Sequence, residues 1–193
     1  MNSKRRNVMK FSLACAASLL CVGTASFGAS LNSKEKNMQK CVYIVHGYDA
    51  SPKSHWFAWL KGEIEKSGAR AEILAMPAPA HPRLDEWLKT LRESVKFEGE
   101  VYLVGHSLGC PTILNFLQSS AASGAVEGVV LVSGLAKPLS DPQFKILDEF
   151  MDKGFDFERI KAAAKQRAVI AAKDDYIVPF SFSRELAGQI DAK

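Results

Sequence analysis

The stretch Val101-Tyr102-Leu103-Val104-Gly105-His106-Ser107-Leu108-Gly109 constrains the fold of this chain more than any other. An apolar, β-branched run passes directly into G-x-S-x-G, and the spacing of Ile113, Leu114 and Leu117 behind it predicts a helix. A strand that becomes a helix within so few residues has to hold the serine in strained backbone, with its hydroxyl projecting beyond the edge of a sheet. Glycine is required on both sides, because a Cβ there would strike the neighbouring strand and helix. The first turn of the helix would then turn free N–H groups, and the positive end of its dipole, toward developing negative charge. The competing reading is an unreactive serine in a glycine-flanked turn of a Rossmann-like sheet.

The remainder of the chain supplies a sheet for that turn. Residues 41–46, 71–76, 101–104, 129–133 and 168–171 are short apolar runs without polar alternation, the pattern of strands buried on both faces of a parallel sheet. Between them lie helical faces: Trp56, Trp59, Leu60 and Ile64, then Leu84, Trp87, Leu88, Leu91 and Val95. Asp141-Pro142 reads as an N-cap with proline in the first turn of a helix through Phe150, and residues 180–190 as a further short helix. Alternating strands and helices predict a single α/β domain with a doubly wound, mainly parallel sheet, without internal repeats. Chemistry in such a sheet belongs to the loops after the strands. Here these are residues 46–54, 77–82, 105–109, 134–140 and 173–179.

The first 29 residues are of a different kind. Lys4, Arg5, Arg6 and Lys10 precede an uncharged, mostly apolar run that closes on small residues, the layout of an export signal. Arg5-Arg6 gives it a twin-arginine character. A retained membrane anchor is the weaker alternative, since Ser, Gly and Thr dilute the run. Residues 30–39 read as a polar linker, and 40–193 as the folded domain. Removal of the leader takes away four cations and no acid, leaving 21 of each sign. A nucleic-acid role thereby loses its compositional support. The expected product is an exported monomer, periplasmic or secreted, without membrane attachment after cleavage and with a small molecule as its partner. Cys15 and Cys21 leave with the leader, whereas Cys41 and Cys110 sit on apolar faces and read as buried thiols. Neither a Walker nor a Gly-x-Gly-x-x-Gly pattern nor a His/carboxylate cluster occurs, so no cofactor or metal is expected.

Two further segments accompany the serine. Val42-Tyr43-Ile44-Val45-His46-Gly47-Tyr48 is a strand ending in His-Gly, and Lys173-Asp174-Asp175-Tyr176-Ile177-Val178-Pro179 follows a late strand. These blocks, with VYIVHGYDASPKSHWFAWL, MPAPAHPRLDEWL, VYLVGHSLG and AKDDYIVPFSFSRELA in that order, resemble the small alpha/beta-hydrolase family of serine hydrolases related to animal retinoblastoma-binding serine hydrolase and its compact bacterial relatives. The likeness spans residues 41–193. It implies a minimal alpha/beta-hydrolase fold without a cap domain, and hydrolysis of small esters, thioesters or amides in the manner of a carboxylesterase. It implies Ser107 as nucleophile, Asp175 as orienting acid with Asp174 capping the turn or binding solvent, and the backbone amides of Leu108 and Tyr48 as oxyanion donors. No Leu-x-Cys-x-Glu sequence occurs, so a retinoblastoma-type partner is not implied.

The resemblance breaks after the acid. The family places its catalytic histidine in a Gly-His loop beyond a last strand, and the 18 residues after Asp175 contain no histidine. The expected sheet thus lacks its last strand and helix. The four histidines present stand elsewhere. His46 braces the first loop or touches substrate. His55 precedes the first helix, His106 points away from the serine beside it, and His81 is solvent-exposed, lines the substrate or stands in for the base. Trp56 is a pocket wall or core. The alternative function is a catalytically inactive relative that keeps the pocket and binds a ligand or protein.

Overall fold

The computed structural model describes residues 39–119 and 126–193. The expected export signal and all but the last residue of the expected linker lie outside the described residues. Five strands follow in chain order: β1 (Lys40–Val45), β2 (Arg70–Leu74), β3 (Glu100–His106), β4 (Val126–Val132) and β5 (Ala164–Ile170). All neighbours are parallel, in the order β2-β1-β3-β4-β5. Helices α1 (Phe57–Lys66), α2 (Leu84–Ser94), α3 (Gly109–Gln118), α4 (Phe157–Ala163) and α5 (Phe180–Gln189) connect or follow them, with a 3-10 segment at Pro142–Phe150.

The absence of alternation in the strand sequences has its physical counterpart in two apolar layers. Tyr43 and Val45 of β1, Leu103 of β3 and Leu131 of β4 face one layer, with Trp87 of α2, Leu114 of α3, Ile160 of α4 and Leu186 of α5. Val42, Ile44, Val104 and Val130 face the other, with Phe57, Leu60 and Ile64 of α1. Burial of successive side chains on opposite faces supplies the main favourable free energy of the domain.

Three details differ from the sequence expectations. Trp59 does not join the buried face of α1 but is 48% exposed, because the helix starts at Phe57 and turns Phe57, Leu60 and Ile64 inward. The helix expected through Phe150 is a 3-10 segment, although Asp141 caps it as anticipated by accepting from Gln143 N–H. Helix α4, capped by Asp156 accepting from Arg159 N–H, was not foreseen at all.

Chain order reverses between β1 and β3: β1 leads outward to β2, while β3 leads the other way to β4 and β5. Carboxyl ends of strands at such a reversal form a crevice. His46-Gly47 and Ser107 stand at those two ends. At the far side, Lys193 N–H donates to Arg167 O (3.1 Å) and Val169 N–H donates to Lys193 O (3.0 Å). Lys193 therefore pairs in parallel register with the outer edge of β5.

Candidate active site

Ser107 has φ +51°, a left-handed conformation that non-glycine residues rarely adopt. The neighbouring backbone enforces it. Ser107 N–H donates to Val132 O of β4 (2.9 Å), which carries the ladder one residue past β3, and Cys110 N–H then closes the turn on Ser107 O (2.8 Å). A Cβ on Gly109 would lie 2.3 Å from Val45 O, and one on Gly105 would lie 3.0 Å from Cys110 N. The G-x-S-x-G pattern is thus a packing requirement of the sharp turn. Helix α3 begins at Gly109, so the Leu108 amide precedes its first turn and has no acceptor within the helix.

Gly47 brings the loop after β1 against the same serine. A Cβ at Gly47 would sit 3.0 Å from Ser107 Cβ and 3.1 Å from His106 O, so the Gly47–Tyr48 peptide runs directly beside the nucleophile candidate. The loop is tied down on its far side by Asp49 N–H donating to Pro79 O (2.8 Å), and the half-buried Tyr48 ring meets Phe144 of the 3-10 segment edge-on at 6.3 Å.

His46 lies inside the fold. It is 1% exposed and both ring nitrogens are engaged. Nε2 accepts from Met76 N–H (3.1 Å), which leaves the proton on Nδ1 to donate to Gly47 O (2.9 Å). Burial lowers its pKa, so the neutral ring that this pair of bonds requires is the stable one. It braces β1 to the end of β2. Trp56 is 8% exposed and packs against Phe57 and edge-on to His106 (5.8 Å) within the α1 layer. His81 is exposed and borders a separate depression of about 500 Å³ with Arg83, Lys145, Asp148 and Glu149, whose lining includes neither Ser107 nor Asp175.

His106 lies among His55, Trp56 and Phe57, with ring centroids 5.0, 5.8 and 5.7 Å away. Burial in this cage, with a smaller contribution from His55, pushes its pKa down to about 4 against an opposing pull from the Asp175 carboxylate. The ring is neutral at ordinary pH and poorly basic.

Of the two adjacent acids, Asp175 is half-buried and Asp174 exposed. Asp175 Oδ1 accepts from Ile177 and Val178 N–H, both at 3.0 Å, and Oδ2 accepts from the Ser133 hydroxyl at 2.8 Å. Sequence reasoning missed Ser133. A serine after a strand is commonplace, and only the adjacency of β4 and β5 brings it to the acid. Among the described residues no imidazole is hydrogen-bonded to Ser107 or Asp175, and no group of three or more His, Cys, Asp or Glu is placed to hold a metal ion.

Residues 42–193 match the Serine hydrolase family. The chain is 53% identical to the putative hydrolase YdeN of Bacillus subtilis, over 80% of this chain and 81% of that protein. It is 24% identical to the serine hydrolase RBBP9 of Rattus norvegicus, over 72% of each. The crystal structure of the B. subtilis ydeN gene product superimposes with a TM-score of 0.73, covering 80% of this chain and 82% of that one at 52% identity. Est1E from Butyrivibrio proteoclasticus, at 14% identity and a TM-score of 0.61 over 82% of this chain and 78% of its own, shares the fold. With a parallel sheet that carries no cap domain among the described residues and these relatives, the chain belongs to the serine hydrolase family, as an enzyme of the alpha/beta-hydrolase fold.

Proposed function

We propose that this hydrolase cleaves small ester, thioester or amide bonds, with Ser107 attacking the carbonyl carbon. The observation that carries the reading is the left-handed Ser107 at the tip of the central strand, with Gly47 pressed against its Cβ. In this scheme the amides of Leu108 and Tyr48 donate to the oxyanion as the carbonyl becomes tetrahedral. A base takes the hydroxyl proton and returns it to the leaving group, and Asp175 orients that base and stabilises its cationic form.

None of the four histidines of the chain suits that base. His46 has no free nitrogen, His106 is caged and weakly basic, and His81 borders another depression. His55 is exposed, its ring lies against His106 at 5.0 Å, its pKa is lowered by partial desolvation, and no hydrogen bond joins it to Ser107 or Asp175. On this reading the base is an imidazole that the four histidines at hand do not supply. Lys193 pairs with Arg167 and Val169 on the outer edge of β5, the strand that leads to Asp175.

A fluorophosphonate probe tests this scheme. Strong labelling is expected when the protein is extended with the reading frame downstream of Lys193, and weak labelling of the 193-residue chain, with Ser107→Ala as the blank in both. Strong labelling of the 193-residue chain would show that its machinery already contains a base. No labelling in either form would favour a binding role for the retained pocket.

A further inference from the structure

The tips of β3 and β4 are built alike. Ser107 follows β3 with φ +51° and its N–H on Val132 O, the neighbouring strand. Ser133 follows β4 with φ +50° and its N–H on Ile170 O (2.8 Å), again the neighbouring strand. A side chain other than glycine's is strained in that conformation, so a serine held there on two adjacent strands requires enforcement by its surroundings. At the first tip the enforced hydroxyl is the nucleophile candidate. At the second it donates to Asp175 Oδ2 at 2.8 Å. The loop beyond Ser133 is also pinned, because the buried hydroxyl of Ser183 in α5 donates to Gly134 O (2.7 Å).

We infer that Ser133 is a positioning residue of the catalytic machinery, aiming the Asp175 carboxylate through its hydroxyl. The inference rests on the reading of Ser107 and Asp175 given above. A carboxylate offers about four acceptor positions. The amides of Ile177 and Val178 take both on Oδ1, and Ser133 takes one on Oδ2. The position left on Oδ2 is the one for an imidazole N–H. Oδ1 is anchored to Asp175's own loop, so the bond from β4 is what sets the rotation of the carboxylate relative to the β3 tip. Without it the carboxylate turns about the Oδ1 anchor and the base it holds loses alignment with Ser107.

The experiment uses the 193-residue chain with added imidazole as the missing base and p-nitrophenyl acetate as substrate. Ser107→Ala serves as the blank, which removes the direct attack of imidazole on the ester. The wild-type chain is expected to show an imidazole-dependent rate above this blank. Ser133→Gly, which removes the hydroxyl and relieves the backbone strain, should lower that rate roughly tenfold at saturating ester with KM for the ester unchanged. Asp175→Asn should lower it at least as far, and Ser133→Gly on top of Asp175→Asn should then cost nothing more. An unchanged rate in Ser133→Gly, or the same loss in both backgrounds, would overturn the role of Ser133 while leaving the nucleophile intact. No rate above the blank in the wild-type chain would overturn the Ser107 reading, and the role of Ser133 with it.

Discussion

Where the start of α3 meets the end of β1 there is no space for a methyl group. An alanine at Gly109 would place its Cβ 2.3 Å from Val45 O, so β1 or α3 must move as a body. Gly109→Ala is expected to cost about 3 kcal/mol of stability in urea unfolding. Gly47→Ala meets side-chain Cβ and backbone at 3.0–3.1 Å, which small shifts relieve. It should fold, yet lower the rate of fluorophosphonate labelling about tenfold by displacing the Tyr48 amide. His106 gives stability a pH dependence of definite sign. Its pKa falls from 6.5 in the unfolded chain to about 4 in the fold, so the unfolded state binds more protons between those values. Its contribution is complete above pH 6.5 and is lost on acidification toward 4, a change on the order of 3 kcal/mol. His106→Gln should flatten the fall in unfolding free energy over that interval relative to the wild-type chain. At this scale the sequence exposed residues whose chemistry depends on near neighbours, namely Gly105, Ser107 and Gly109. It left the position of His46, Trp56 and His81 ambiguous, because a histidine or tryptophan beside a site serves equally as brace or contact until its nitrogens and its exposure are known.

The strands were readable as elements because each is buried on both faces and so carries an unbroken apolar run. The connections were less so. Pro142–Phe150 carries a valid helix-start signal, yet adopts the tighter 3-10 form while docking against α3. There Asn115 Nδ2 donates to Phe150 O (2.8 Å) and to Pro111 O (2.9 Å). Nothing in the local sequence reports that α3 will supply this donor. Asn115→Ala should destabilise the domain by about 1 kcal/mol and speed amide hydrogen exchange in residues 142–151 selectively, measurable by mass spectrometry. Helix α4 escaped notice because it offers a single buried residue, Ile160, too few for a period to show. Ser133 escaped for a different reason: its partner is 42 positions away, and the encounter depends on β4 and β5 being neighbours.

For the molecule as a whole, the arrangement of strands follows from short right-handed connections and was within reach of pattern reasoning. The order that puts β3 between β1 and β4 was not written in any single segment. The amino-terminal segment makes a separate prediction. If residues 1–29 direct export, the protein recovered outside the cytoplasm should begin after Ala25 or Ala29, as read by amino-terminal sequencing. Replacing Arg5-Arg6 with Lys-Lys should abolish that export if the folded-protein route is used.

Ser107 is secured almost wholly by main-chain atoms: an amide bonded to the next strand, a turn closed on its own carbonyl, and three glycines that admit neighbouring backbone. The position of Ser107 is thereby uncoupled from the identity of the side chains around the crevice. If Ser107 is the nucleophile as proposed, side chains beside the crevice can be exchanged without moving its oxygen. One frame can in this way serve many substrates, and selectivity can be redesigned by altering the walls alone.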